Sequence, residues 1–248
     1  MPEENKKYRI FEKFPDAGLV YSFSSRASGN MSLCYGDTKD SLENRKLFLK
    51  ALGIDYQRLV CAKQVHGKTV RYMGEDDKGR GALSGDTAIP DTDALVTDKK
   101  NLPLAILTAD CLPVFLYDPK TPAIGLAHAG WRSTSFNISG ETVKLMRERF
   151  HTDAGNFLVG FGPVIRSCCY EVKEELSGFS PCEFIKRGQR YYLDLAVINR
   201  KQLLGSGVKE ENIFDCGICT VCHNKDFFSY RLEQGSSGRM MSVMMLKD

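Results

Sequence analysis

Short runs rich in β-branched and aromatic residues recur along the chain and constrain its fold more than any other feature. Runs of this composition, bounded by turn-forming residues, predict β-strands. They lie at residues 20–24, 59–66, 69–73, 94–97, 104–108, 114–117, 124–128, 157–160, 191–193, 227–230 and 241–246. The chain is therefore predicted to be rich in strands.

Helical periodicity is clear in only three segments, at residues 40–52, 140–150 and 194–204. In the first of these, Asp40 and Glu43 are spaced as in a capping box. Because three helices are too few to follow every strand, a regular doubly wound parallel sheet is disfavoured. The sequence instead predicts an α/β (α+β) fold in which mixed β-sheets are layered with flanking helices.

The predicted strands are not separated by any segment with the composition of a linker. Residues 74–90 are rich in glycine and charge, which is typical of a long surface loop. A chain of 248 residues lies at the upper end of what one hydrophobic core normally serves. We therefore expect a single domain over residues 1–248.

Charge and cysteine content narrow the class of protein. The 34 basic and 31 acidic residues are interspersed, so we expect no nucleic-acid partner. The first residues lack the apolar core of a secretory signal, and the most apolar stretch, 104–117, is interrupted by Asp110 and Pro113, so we expect no membrane segment. An odd number of cysteines, nine, predicts reduced thiols and a cytoplasmic location.

Two of the four histidines and one cysteine stand where a ligand could reach them. His66 and His128 each end an apolar run beside a glycine, and Cys111 follows another apolar run. Loop edges of this kind carry binding and catalytic residues. Two imidazoles and one thiolate suit zinc or copper, and they leave a fourth position open, as in catalytic zinc sites. The alternative is two hydrogen-bonded structural histidines and a buried apolar cysteine.

A carboxylate near these residues could complete the site. Histidines that bind a metal usually donate their other N–H to a carboxylate or carbonyl. Asp110, next to Cys111, is predicted to orient an imidazole or to relay a proton. Asp93 and Asp98 compete with it for that role.

A second group of possible metal ligands lies in the carboxyl-terminal half. Its spacing resembles zinc or iron–sulfur ligation, with packed free thiols as the alternative. The group comprises Cys168, Cys169, Cys216, Cys219, Cys222 and His223.

Several basic residues could bind an anion, because arginine clamps phosphate oxygens in pairs. The alternative for each is a solvated surface charge. The candidates are Arg26, Arg132, Arg231, Arg239 and Lys63. Lys63 lies three residues before His66, and strand parity points the two side chains to opposite faces unless the strand bulges. Trp131 could stack on a planar base or pack in the core.

Nine segments occur in an order that resembles a known family. They are FSSR, ENR, KQVHG, DALVTD, TADCLPV, AHAGWR, GP-I--CCYEV, LDL and FFSYR----SSGR. In this order they resemble the laccase-domain, YfiH-type family of purine nucleoside phosphorylases over nearly the whole chain. The pairing of TADCLPV with AHAGWR is far more specific than either segment alone.

The resemblance implies a single α/β domain with a metal site made of His66, Cys111 and His128. The metal would be zinc, or copper under the family's former polyphenol oxidase label. The implied reactions are phosphorolysis of adenosine, inosine, guanosine and S-methyl-5′-thioadenosine to base and sugar 1-phosphate, and deamination of adenosine. Asp110 would be the acid. The phosphate-binding candidates are Arg26, Lys63, Arg132 and Arg231.

Three other functions stay open at this stage. A copper polyphenol oxidase is one, although four histidines are too few for the copper sites of a multicopper laccase. A cysteine hydrolase would use Cys111 as nucleophile, His128 as base and Asp110 to orient the base. A non-catalytic nucleoside- or metal-binding module would bind its ligand without turnover. The expected partners are small molecules, with the protein a monomer or homodimer.

Overall fold

The computed structural model describes residues 14–15, 18–173, 178–180 and 183–248. Strands in this part of the chain form three sheets, ordered β12-β8-β6-β7-β4-β3, β1-β13-β5-β2 and β10-β11-β9. The first two sheets contain both parallel and antiparallel pairs. The strands are β1 (Leu19–Phe23), β2 (Val60–Cys61), β3 (Val70–Tyr72), β4 (Ala94–Thr97), β5 (Leu104–Thr108), β6 (Leu112–Asp118), β7 (Ala123–Ala129), β8 (Leu158–Phe161), β9 (Glu171–Val172), β10 (Ile185–Arg187), β11 (Arg190–Tyr192), β12 (Ile213–Asp215) and β13 (Met240–Leu246).

Helices accompany the sheets, and the three longer ones were predicted. Each begins at a side-chain cap: Asp37, Asn137 and Asp194 accept hydrogen bonds from the first-turn amides of α1, α3 and α4. No helix in the described ranges is long and apolar enough to cross a membrane. The helices are α1 (Thr38–Ala51), α2 (Trp131–Ser135), α3 (Ile138–Phe150), α4 (Leu195–Gly205) and α5 (Tyr230–Glu233).

Both faces of the six-stranded sheet are apolar, and successive side chains of β6 point to opposite faces. Val114 packs in a cluster with Met146 of α3 and Leu203 of α4, so these helices cover one face. Phe115 points the other way and packs in a cluster with Met244 of β13. The two larger sheets therefore pack face to face.

The four-stranded sheet has an apolar outer face as well. Ala105 and Val243 pack there in a cluster with Leu49 of α1. The layers thus run helices, six-stranded sheet, four-stranded sheet, helix. This arrangement confirms the predicted mixed-sheet α/β fold.

The predicted strand at residues 59–66 was too long, because only Val60–Cys61 pairs with a neighbouring strand. Beyond it the backbone N–H groups of Val65, His66 and Gly67 donate to the carboxylate of Asp93. The buried Asp93 carboxylate therefore accepts the backbone hydrogen bonds that a neighbouring strand was expected to accept. The loop that results carries the first candidate ligand.

The predicted strand at residues 227–230 was wrong. The Phe227 carbonyl accepts a hydrogen bond from the Arg26 guanidinium, and the Ser229 hydroxyl caps α5 by accepting from the Leu232 amide. The predicted start of α1 was also displaced. Asp37, not Asp40, is its cap residue. The sequence signals missed the short strands β9, β10 and β12 and the short helices α2 and α5.

Candidate metal centre

A hairpin brings two of the three candidate ligands together. β6 and β7 are antiparallel, with Pro113 opposite His128, so Cys111, directly before β6, lies close to His128 near the end of β7. β4 flanks β7 on its other side, and the His128 amide donates to the Asp93 carbonyl at 2.8 Å. Regular sheet pairing thus fixes Cys111, His128 and Asp93 at one sheet edge.

His66 reaches this edge from the loop after β2. Its φ of 59° is left-handed, which is uncommon for a residue other than glycine. The Asp93 carboxylate stabilises this backbone because it accepts from three successive amides, those of Val65, His66 and Gly67, at 3.2, 2.9 and 2.7 Å. Backbone strain of this kind concentrates at functional sites.

The three side chains converge on one point. Cys111 Sγ lies 3.8 Å from His66 Nε2, and the two imidazole rings stand 4.7 Å apart at 81°. The ligand atoms of His66, Cys111 and His128 all lie within 4.8 Å of one another. The structure therefore places all three predicted metal ligands together.

The space around these atoms fits a small ion. At Gly130 an added Cβ would lie 2.8 Å from His66 Cδ2 and 3.0 Å from Cys111 Sγ. Only glycine therefore leaves the space next to these two ligands open. Two nitrogen donors and one thiolate are a donor set that zinc and copper accept. The donors and the space both suit a bound metal ion.

The residue that orients His128 is Asp93, not Asp110 or Asp98. Asp93 Oδ1 lies 2.8 Å from His128 Nδ1, and both side chains are buried. A carboxylate on the far nitrogen of an imidazole fixes the ring and leaves its other nitrogen for the metal. Asp98 instead accepts from the Tyr72 hydroxyl on the surface. The prediction that Asp110 orients an imidazole was therefore wrong.

Electrostatics at the centre favour a thiolate. Burial alone would raise the pKa of Cys111, but the charge of His128 and hydrogen bonds with both histidines lower it to about 6. Burial would lower the pKa of His128, but the Cys111 charge and the Asp93 carboxylate raise it to about 9. The charged forms of Cys111 and His128 therefore stabilise each other.

Asp110 occupies a different position beside the centre. Its backbone is left-handed, with a φ of 84°, and its carboxylate accepts from the Thr220 hydroxyl and from the Arg231 amide, each at 2.6 Å. These bonds join the loop before β6 to two segments of the carboxyl-terminal third. Asp110 thus borders the centre without bonding to either imidazole in the described residues.

Two of the candidate phosphate-binding arginines lie near this edge. The Arg132 guanidinium is exposed and lies 4.1 Å from the ring of Trp131, which packs against the core. Arg231 donates to the Glu171 carbonyl at 2.9 Å and lies 5.2 Å from the ring of Tyr170. Both arginines lower the pKa of Tyr170, but burial and the Cys111 charge raise it further.

The other basic candidates are placed less favourably for an anion. Arg26 donates to two backbone carbonyls and pairs with Glu233, so it would have to leave that carboxylate to bind phosphate. Arg239 donates to the carbonyls of its own loop. Lys63 is exposed and lies outside any strand. Its role stays a prediction.

Sequence reasoning missed three residues that shape the centre. Gly130 is visible in the sequence only as a neighbour of His128, Tyr170 only as part of CCYEV, and Thr220 gives no signal. Their importance depends on contacts between distant segments. Asp93 directly precedes β4 and Asp98 directly follows it, and the sequence alone does not tell which end of the strand lies beside His128.

Two histidines and a cysteine thus converge at one end of the strands of a layered α/β fold. This arrangement is typical of proteins that bind a metal ion. The chain belongs to the family described as multi-copper polyphenol oxidoreductase laccase, whose model matches residues 19–247. This confirms the family predicted from the motifs.

Similar proteins include the purine nucleoside phosphorylase YlmD of Geobacillus stearothermophilus, 38% identical over 93% of this chain and 91% of that one. The purine nucleoside phosphorylase YlmD of Bacillus subtilis is 35% identical over 84% and 78%. Among solved structures, YlmD of Geobacillus stearothermophilus superposes with a TM-score of 0.89, at 35% identity over 94% and 93%. A hypothetical protein YfiH of Bacillus licheniformis gives 0.87, at 32% identity over 92% and 93%.

Proposed function

We propose that this protein is a zinc-dependent purine nucleoside phosphorylase. It would convert adenosine, inosine, guanosine and S-methyl-5′-thioadenosine to the free base and sugar 1-phosphate, and it would also deaminate adenosine to inosine. The observation that carries the proposal is the convergence of His66, Cys111 and His128 within 4.8 Å, in a chain similar to named purine nucleoside phosphorylases. We expect it to act in the cytoplasm on these small molecules, as a monomer or homodimer.

The metal would be held by His66, Cys111 and the free ring nitrogen of His128. Zinc suits this donor set, and copper is the alternative. When bound, the ion would supply a Lewis acid that polarises an oxygen at the reacting centre. The neighbouring Asp93 would keep His128 in position throughout, because its carboxylate bonds to the ring and to the loop that carries His66.

Phosphorolysis needs phosphate close to C1′ of the ribose while positive charge develops there. We assign phosphate binding first to Arg132 and Arg231, because Arg132 is exposed in the helix that follows His128 and the Arg231 guanidinium lies 5.2 Å from the ring of Tyr170. Lys63 and Arg26 remain candidates. Arg26 would first have to leave Glu233.

Proton transfer is assigned to Asp110 and hydrogen-bond donation to Tyr170. The Asp110 carboxylate is oriented by the Thr220 hydroxyl and the Arg231 amide, which couples it to the proposed phosphate site. Burial, together with the Cys111 charge, holds the pKa of Tyr170 above its usual range, so its phenol keeps its proton and can donate to substrate. In deamination, the Asp110 carboxylate would take a proton from the attacking water and pass it to the amino group, which would leave as ammonia.

The experiment follows products from each nucleoside with inorganic phosphate. Base, inosine, sugar 1-phosphate and ammonia are quantified for zinc-loaded protein, chelator-treated protein and Cys111→Ala. Cys34→Ala is the matched control, because Cys34 is exposed and lies outside the centre. The proposal expects turnover in the zinc-loaded protein and the control only. Folded, metal-loaded protein that yields no product from any nucleoside would refute it.

A second candidate function is supported by one specific observation. Cys111, His128 and Asp93 are arranged as the nucleophile, base and orienting carboxylate of a cysteine hydrolase, with the pKa of Cys111 lowered to about 6. Asp93 takes the role first given to Asp110. The two functions respond oppositely to chelation: a cysteine hydrolase would stay active without metal, whereas the proposed phosphorylase would not.

A further inference from the structure

Four cysteines outside the described centre meet where two loops run side by side. Cys168 and Cys169 lie in the turn before β9, and Cys219 and Cys222 lie in the loop after β12. The loops are joined by a parallel bridge between Val164 and Cys219, which places the two pairs of thiols next to each other. Neither the proposed phosphorylase activity nor the His66–Cys111–His128 centre uses them.

The distances among the sulfurs match coordination of one ion. Cys222 Sγ lies 3.6 Å from Cys168 Sγ and 3.5 Å from Cys169 Sγ, and all four sulfurs lie within 4.8 Å of one another. A tetrahedral zinc ion with Zn–S bonds of about 2.3 Å separates its sulfurs by about 3.8 Å. A disulfide needs about 2.05 Å between sulfurs. A multi-iron cluster would hold them farther apart, because its inorganic core would stand between them.

The backbone around Cys219 is arranged to stabilise a thiolate. Backbone hydrogen bonds from Cys222, Arg166 and Val221 stabilise the charged form of Cys219. The Arg166 amide lies 3.5 Å from the sulfur. The amides of Val221 and Cys222 belong to the C-x2-C segment itself, whereas the Arg166 amide comes from the other loop. The thiolate is the form that binds metal.

Cysteines and histidines near the group do not all belong to it. Cys216 lies outside the set of converging sulfurs. His223 bonds to the Cys219 carbonyl through Nδ1. The ligand set therefore differs from the one first suggested by the spacing in the sequence, because the adjacent Cys168 and Cys169 both turn toward Cys222.

We propose that Cys168, Cys169, Cys219 and Cys222 bind one zinc ion in a closed, structural site. Four thiolates in a tetrahedron select zinc or a single iron, and zinc is the ion that such closed sites commonly hold. Four protein ligands leave no open position for substrate. The ion would tie together two loops that regular secondary structure connects by one bridge.

A zinc ion bound by the four cysteines would also fix the positions of two residues next to them in the chain. Tyr170 directly follows Cys169, and Thr220 directly follows Cys219 and donates to the Asp110 carboxylate at 2.6 Å. A metal ion between the loops would hold Tyr170 and Thr220 beside the first centre. The four cysteines are thus positioning residues in relation to that centre.

Metal content of the full chain, purified under reducing conditions, tests the proposal. We expect two zinc ions per wild-type chain, one in Cys222→Ser, one in Cys111→Ser and two in the control Cys216→Ser. Cobalt-loaded Cys111→Ser should show the intense thiolate-to-metal absorption of a four-thiolate site. Cys219 is buried, so its substitution could unfold the loop. The second variant is therefore Cys168→Ser, because Cys168 is exposed, and it should also lose one zinc ion per chain.

Two results would overturn the proposal. One is equal metal content in Cys222→Ser, Cys168→Ser and the Cys216→Ser control, each shown to be folded by circular dichroism. The other is an intact-mass measurement showing that Cys222 forms a disulfide in the wild-type protein. Both readouts are independent of nucleoside turnover, so failure of the proposed function would leave this result interpretable.

Discussion

Single residues decide whether the first centre can form, and Gly130 is the most constrained of them. In Gly130→Ala the new Cβ would meet His66 Cδ2 at 2.8 Å and Cys111 Sγ at 3.0 Å. Overpacking of this kind costs about 1–3 kcal/mol. We expect this cost to appear as weaker zinc affinity, measured by competition with a chelator. Gly205→Ala is the control, because its Cβ meets nothing within 4 Å, and an equal loss there would contradict the steric explanation.

Asp93 supports both histidines, so its charge should matter more than that of any other nearby carboxylate. Asp93→Asn keeps the size of the side chain but weakens its bonds to His128 and to the amides of the His66 loop. Changes at such supporting residues lower metal affinity by about 10–100-fold. Asp98→Asn, on the surface, should leave affinity unchanged. If both variants retain wild-type affinity, Asp93 is not the orienting group.

At the scale of elements, one ion pair connects α5 to the loop that follows β1. Its partners are Glu233 of α5 and Arg26. Glu233 accepts from Arg26 and from the Ser229 amide, and these bonds lower its pKa although burial opposes them. A carboxylate with a lowered pKa stabilises the fold above its unfolded pKa of about 4.3, and that stability is lost as pH falls further.

The pH dependence of unfolding therefore distinguishes Glu233 from an unpaired surface carboxylate. Glu233→Gln should lower the free energy of unfolding by about 1 kcal/mol at pH 7, and the difference from wild type should shrink as the pH falls below about 4.3. Glu148→Gln, on the exposed side of α3, is the control and should match wild type. A Glu233→Gln deficit that stays constant down to pH 3 would contradict this account.

Elements were predictable from the sequence where local pattern and burial agree. β4 and β5 have the predicted bounds, because each is a short, β-branched run whose residues are nearly all buried. Residues 59–66 and 227–230 have the same kind of pattern, yet distant polar groups, Asp93 and Arg26, bind their backbones. Hydrogen bonds across such sequence separations leave no local signal.

The whole molecule depends on the apolar layer between the two larger sheets. Phe115 is fully buried there. Phe115→Ala should lower the free energy of unfolding by about 3–5 kcal/mol. Denaturant unfolding monitored by fluorescence and circular dichroism provides the measurement, with the half-exposed Phe136→Ala as control. We propose one domain over residues 1–248, so both probes should report a single coincident transition, whereas two separate transitions would contradict it.

The candidate site was predictable at this scale only in part. Motif order and the resemblance identified His66, Cys111 and His128, which the sheets then bring to one edge. The choice among Asp93, Asp98 and Asp110 depends on strand pairing and could not be made from the sequence. The four-thiolate group was visible as spacing, but its membership depends on how the loops after β8 and β12 meet.

Release of hypoxanthine from inosine, measured against the concentration of inorganic phosphate, tests the central claim most directly. The account predicts that zinc-loaded protein releases base only when phosphate is present, with one sugar 1-phosphate for each base, and that Cys111→Ala abolishes release. Release of base without phosphate, or release that persists in Cys111→Ala, would contradict a phosphorylase built on this centre.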